Sequence, residues 1–295
     1  MKKRVFEGAA TALVTPLTDN GIDYEAFGKL IDWQIEKGIG ALVICGTTGE
    51  ASTLNDEEHI GAIAYAAKRI NKRVPLIAGT GSNDTPHAIK LAVLAEKAGA
   101  DALLVVTPYY NKTSQRGLIR YYTDIADSVS IPIILYNVPS RTGVNIEPAT
   151  FAALADHPNI VAIKEANGNL SKIVETMSLV KGKLDLYSGN DDQIVPLLAL
   201  GGCGVISVLS NLLPTETQEL CMSFLRGDVE KSAQMQYQYL KLINALFSDV
   251  NPIPVKAAMA AMGFCENYLR APLLPMEESA EEKLLDAMRD QGINV

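Results

Sequence analysis

Ile160-Val161-Ala162-Ile163-Lys164-Glu165-Ala166-Asn167-Gly168 is the stretch from which the fold can be read. Its first four residues form a short apolar, largely β-branched run set between Pro158-Asn159 and Asn167-Gly168. Such a run, bounded by turn residues, reads as a strand buried on both faces, the kind found in parallel sheets. Side chains alternate along a strand, so this reading places Ile160, Ala162 and Lys164 on one face and Val161 and Ile163 on the other. A lysine in line with two core positions is costly when charged, and desolvation lowers its pKa. A neutral amine attacks ketones, the first step of Schiff-base catalysis. A lone strand-end lysine more commonly snorkels to solvent, so the neighbouring segments decide.

Working outward, similar runs occur at residues 9–14, 41–45, 75–78, 102–106 and 131–136 before this strand, and at 185–188 and 205–208 after it. Amphipathic segments fill the gaps. Phe27, Leu30, Ile31 and Ile35 give the first helix its apolar face, with Asp23 as N-cap and Gly38 at its end. Ile60, Ile63, Ala64 and Ala67 do the same for the second, where Asn55 and Glu58 have capping-box spacing. Pro86 suits the first turn of the third helix, and Gly99 closes it. Gly182 and Gly201 stand similarly before later strands. From residue 41 onward, successive strand starts fall roughly 20–35 residues apart, the scale of βαβ units. Eight units in series predict a closed (β/α)₈ TIM barrel, which runs to about 250 residues. The uniformity of the eight runs favours it over an open doubly wound sheet.

The barrel is assigned to residues 1–226 and a C-terminal helical region to residues 227–295. In the latter, residues 228–247, 255–262 and 279–289 read as helices, interrupted by Pro252, Pro254, Pro272 and Pro275. No cluster of catalytic type stands out there, and its expected work is packing and assembly.

Composition narrows the function classes. The 295-residue chain is 48% hydrophobic with a formal net charge of -8, which argues against nucleic acid or an anionic membrane as partner. Lys2-Lys3-Arg4 followed by an apolar run superficially resembles a signal peptide, but Glu7 interrupts it and the run ends at Thr15-Pro16. No stretch approaches the apolar length of a membrane span. Cys45, Cys203, Cys221 and Cys265 are widely spaced without a C-x-x-C pair, so neither a disulfide framework nor a zinc site is expected and a reducing cytoplasm is. His59, His87 and His157 are the only histidines, and none directly follows a candidate strand. No metal is expected, which again leaves the lysine.

In a barrel of this kind, chemistry belongs to the loops after the strands' C-terminal ends. Gly46-Thr47-Thr48-Gly49-Glu50 offers backbone N–H groups and hydroxyls for a carboxylate and for proton relay; taken alone it is also an ordinary glycine turn before a helix cap. The Tyr109-Tyr110 pair, after strand four, suits a subunit contact or a substrate lid, or plain loop packing. Tyr136 shares parity with Ile134 and should face the barrel interior beside Lys164, as a proton shuttle or a hydrogen-bonded core tyrosine. Arg141, on the loop beyond, has the guanidinium fork that suits a substrate carboxylate, although a solvated loop arginine is the commoner fate. Residues 187–191 and 204–211 contribute small side chains that leave space above the barrel. Residues 79–84 are no dinucleotide fingerprint, because the third glycine is missing.

GTTGE, VVTPYYN, YNVPSRTG, IKEANG and GVISV, in this order and on these strands, resemble the dihydrodipicolinate synthase family, within the pyruvate-dependent aldolases that include N-acetylneuraminate lyase. Arg141 and Glu165-Ala166 are the more specific markers. The resemblance implies that Lys164 forms an imine with pyruvate, that Thr48 binds the pyruvate carboxylate, and that Tyr136, Thr47 and Tyr110 relay protons, Tyr110 from a neighbouring subunit. It further implies that Arg141 guides L-aspartate 4-semialdehyde, and that Gly189 and the Ile206 carbonyl line the pyruvate pocket. No organic cofactor is implied. A homotetramer, as a dimer of dimers, is. The alternatives are a lyase acting on a keto-sugar acid, which would share Lys164 and Tyr136, or a barrel that only binds a keto acid. An effector site for lysine would comprise Ala51, Ser52, Asp56, His59, Asn83, His87 and Tyr109. Lysine-sensitive relatives usually carry histidine at position 56 and glutamate at position 87. The Asp56 and His87 found here predict weak or no inhibition.

Overall fold

The computed structural model describes residues 2–295. Eight parallel strands close into a barrel: β1 (Gly8–Ala12), β2 (Ala41–Ile44), β3 (Leu76–Gly79), β4 (Ala102–Val106), β5 (Ile133–Asn137), β6 (Ile160–Glu165), β7 (Asp185–Ser188) and β8 (Gly204–Ser207). Closure runs through β1, which pairs with both β8 and β2. At that seam a Cβ on Gly204 would lie 1.8 Å from the Gly8 carbonyl oxygen, so only glycine permits the approach. A two-stranded ribbon of Leu17–Thr18 and Gly21–Ile22 follows β1.

The predicted caps are present. Asp23 accepts hydrogen bonds from the Glu25 and Ala26 amides, both at 3.0 Å, and Asn55 and Glu58 form a capping box. Gly99 adopts the left-handed conformation after the helix Thr85–Ala98.

Several strand bounds differ from expectation by one or two residues, and at two C-terminal ends a side chain takes over a nearby amide. β1 stops at Ala12: the Leu13 amide still reaches the Val43 carbonyl, but the Val14 amide donates to Asn211 Oδ1. β8 stops at Ser207 because the Val208 and Leu209 amides both turn to Asp191 Oδ2, at 2.9 Å.

The face assignment along β6 needs one correction. Ile133 pairs with Ile160, but Ile134 pairs with Ala162, so the register slips by one residue at Val161. This bulge breaks the simple alternation. Ile160 packs with Ile163 in the layer between barrel and helices. Val161 and Ala162 both belong to the interior with Ile134 and Tyr136. Lys164 reaches the interior because the count restarts after the bulge.

Helices Val229–Leu246, Ile253–Ala261 and Glu278–Arg289 make up the C-terminal region. They are tied to the barrel's upper loops by buried polar contacts. Gln236 donates to the Asp191 carbonyl at 2.8 Å, and Lys256 Nζ donates to the Thr15 carbonyl at 2.6 Å. Lys256 Nζ also lies 2.9 Å from Glu50 Oε1, an ion pair with both side chains almost fully buried. Among the described residues, no helix is long and apolar enough to cross a membrane.

Candidate active site

Lys164 sits near the C-terminal end of β6, opposite Tyr136 of β5 in the ladder. Its Nζ lies 4.2 Å from the centre of the Tyr136 ring. Burial pushes the ammonium pKa down to about 7; Asp191 works against that shift and the Arg141 charge adds to it. Space for the lysine depends on Gly189. A Cβ there would come within 3.2 Å of Lys164 Cε and 2.8 Å of Ala166 Cβ. Tyr136 is held neutral chiefly by burial, with Arg141 and a hydrogen bond from Thr47 pulling its pKa back down.

Thr47 and Thr48 lie in a turn framed by left-handed residues, Cys45 (φ 55°) and Glu50 (φ 56°). The Gly49 amide bonds to the Gly46 carbonyl and the Glu50 amide to the Thr47 carbonyl, both at 3.1 Å. Thr15 Oγ1 fastens the turn by donating to the Gly49 carbonyl at 2.7 Å. Arg141 stands on the short helix Pro139–Thr142, exposed at the rim.

These groups surround one cavity of about 200 Å³, lined by Thr47, Thr48, Tyr136, Arg141, Lys164 and Gly189, together with Phe247 and Asn251. A buried amine near neutrality, a phenol and two hydroxyls in a small cavity can form and protonate an imine. Of the predicted residues, Ile206 belongs to the barrel interior, and Val208 lines the cavity after β8. Tyr110 is 91% exposed with a left-handed φ of 68°, away from the cavity of its own chain.

A second cavity of about 310 Å³ shares Thr47, Tyr136 and Arg141 with the first and extends to Ser52, Asp56, His59, His87 and Tyr109. Asp56 accepts from His87 Nε2 at 2.9 Å and from Lys90 Nζ at 2.6 Å. Those two bonds, the Lys90 one first, hold its carboxyl down at about 2. His59 Nε2 lies 2.8 Å from the Gly79 carbonyl, and burial lowers its pKa. The Asn83 carbonyl accepts from Asn111 Nδ2 at 2.9 Å.

Four residues at the site carry no role in the sequence analysis. Asp191, buried and near enough for its charge to act on the lysine, accepts two amides through Oδ2, and its Oδ1 has no partner among the described residues. Its place directly after β7 was the available signal. Glu165 is buried on the opposite side of β6, and Asn137 Nδ2 donates to both its oxygens at 3.0 and 3.1 Å. Burial raises that carboxyl to about 7. Asn251 and Phe247 come from the C-terminal region, expected to be remote from chemistry, and no local pattern marked them.

The family model for the dihydrodipicolinate synthetase family matches residues 5–291. The 4-hydroxy-tetrahydrodipicolinate synthase of Acetivibrio thermocellus is 54% identical over 293 residues, covering 99% of this chain and 100% of that protein. The solved dihydrodipicolinate synthase of Acinetobacter baumannii, complexed with pyruvate, is 44% identical with a TM-score of 0.95, covering 97% of this chain and 99% of that one. A monomeric dihydrodipicolinate synthase variant is 43% identical with a TM-score of 0.96, over 98% of each chain. With a matching model over nearly its whole length and relatives this similar at full coverage, the chain belongs to the dihydrodipicolinate synthetase family.

Proposed function

We propose that this chain is a lyase of the 4-hydroxy-tetrahydrodipicolinate synthase type, condensing pyruvate with L-aspartate 4-semialdehyde on the path to diaminopimelate and lysine. The observation that carries this reading is Lys164, buried in the cavity with a pKa of about 7. In its neutral form the amine attacks the keto carbon of pyruvate. The resulting carbinolamine loses water, with Tyr136 and Thr47 supplying and removing protons, to leave an imine. Loss of a methyl proton gives the enamine, whose carbon attacks the aldehyde. The amino group of the second substrate then attacks the imine carbon, closing the ring and releasing Lys164. Thr48 holds the pyruvate carboxylate, with Gly189 and the Ile206 carbonyl beside it. Arg141 at the rim guides the charged aldehyde.

Arg141 favours a short charged acceptor over the polyhydroxylated chain of a keto-sugar acid. A coupled assay offering each substrate set should give the higher kcat/KM with pyruvate and the semialdehyde. A higher value for cleavage of N-acetylneuraminate would contradict the reading.

The exposed Tyr110 supports a relay completed by a second copy of the chain, and hence a homo-oligomer, read as a dimer of dimers in the cytoplasm. An active monomer in light scattering would rule the shared relay out.

The second cavity is read as an effector site of low sensitivity to lysine. Asp56 is already engaged by His87 and Lys90. An incoming ammonium would have to displace one of them to reach the carboxylate. Initial rates measured against L-lysine should show little inhibition, and half-inhibition below millimolar lysine would show this inference wrong.

A further inference from the structure

Asn251 lies between the helices Val229–Leu246 and Ile253–Ala261, far from the barrel motifs in sequence but on the wall of the lysine cavity. Its side chain is buried, and Nδ2 donates to Thr48 Oγ1 at 3.0 Å. Its main-chain carbonyl accepts from Arg141 Nη2 at 3.2 Å. Its Oδ1 is buried without any partner, a condition that native structures rarely leave unexplained.

A hydroxyl has one proton to give and lone pairs to receive. With the Asn251 amide donating into Thr48 Oγ1, the Thr48 proton is left free to turn into the cavity, where a carboxylate accepts it. Arg141, the other carboxylate-binding group, is held over the rim by the same residue's carbonyl oxygen.

We infer that Asn251 is a positioning residue for both substrates, setting the Thr48 hydroxyl as a donor to the keto-acid carboxylate and fixing the Arg141 guanidinium at the cavity mouth. The inference rests on the Schiff-base reading above. It makes the C-terminal region part of substrate recognition. Because the Arg141 bond runs to the main chain, it survives a side-chain substitution, and the two substrates should therefore respond unequally.

The test compares wild type, Asn251→Ala, Asn251→Asp, Thr48→Val and the Thr48→Val/Asn251→Ala double variant. The readouts are KM for each substrate and the pyruvate concentration giving half-maximal borohydride trapping. Asn251→Ala should raise the pyruvate values roughly tenfold, the loss of about one hydrogen bond, with a smaller change for the semialdehyde. Asn251→Asp should raise them further, since a carboxylate takes the Thr48 proton and repels the substrate. The Ala substitution should add nothing to Thr48→Val, a non-additivity that general loosening would not produce. Should Asn251→Ala fold poorly in thermal melts, the near-isosteric Asp variant carries the comparison. Pyruvate values unchanged in the variants, or fully additive effects in the double variant, would overturn the inference. Absence of trapping in wild type would overturn the Schiff-base reading as well, so the two failures are distinguishable.

Discussion

Lys164→Ala is expected to abolish covalent capture of pyruvate and to lower kcat on the order of 10⁴-fold or more, as loss of a covalent nucleophile does. Among the described residues lining the 200 Å³ cavity, Lys164 is the one amine able to form an imine. The fold should not suffer. A lysine whose folded pKa is near 7, against 10.5 when exposed, destabilises the native state. The unfolded chain binds more protons between those values, so the penalty is full below pH 7 and is relieved as pH rises toward 10.5. Lys164→Ala should therefore melt at or above the parent's temperature at pH 6, with a weaker rise in stability above pH 7. A variant that melts well below the parent would show that the lysine is structural. Retained turnover would show that the chemistry lies elsewhere.

The largest stability effect is expected from Lys256→Met. Lys256 is fully buried, its ammonium bonded to the Thr15 carbonyl and paired with Glu50. Glu50 Oε2 in turn accepts the Arg270 amide at 3.1 Å, and Arg270 grips Glu58 and the Thr53 carbonyl. Removing the ammonium leaves the Glu50 carboxylate uncompensated in the interior, which costs about 3–5 kcal/mol. At about 2–4 °C per kcal/mol for chains approaching this size, the melting temperature should drop on the order of 10 °C. Glu50 ends the turn that carries Thr47 and Thr48, so turnover should fall even where the variant remains folded. The Lys256→Met/Glu50→Gln double variant should recover part of the loss, because no lone charge is then buried. A loss below about 1 kcal/mol in denaturant titration would mean that the pair contributes little.

The barrel was legible because its strands are short, mostly apolar runs of four to six residues, spaced by helices whose caps are written in single residues such as Asp23, Asn55 and Gly99. The bulge at Val161 was not legible. Ile160 to Ile163 are uniformly apolar, so a one-residue slip leaves no trace in the pattern, and it moved Ile160 to the outer layer. Lys164 and Tyr136 could be placed together because both end adjacent parallel strands. Asn251 could not: its partner Thr48 is 203 residues away, and an asparagine before a proline reads as a turn. In the sequence Asp191 is one more residue of the short segment 187–191. Its significance comes from amides that β8 turns toward it, a contact that only the closed barrel creates.

The proposal that burial makes Lys164 a reactive nucleophile is decided by borohydride reduction of the protein with pyruvate across pH, with the modified residue mapped by mass spectrometry. One reduced pyruvyl adduct is expected, on Lys164, with a rate of formation that rises with pH to a midpoint near 7 and levels off above it. An adduct elsewhere, or a rate that goes on rising toward pH 10 as for an ordinary solvated lysine, would contradict it.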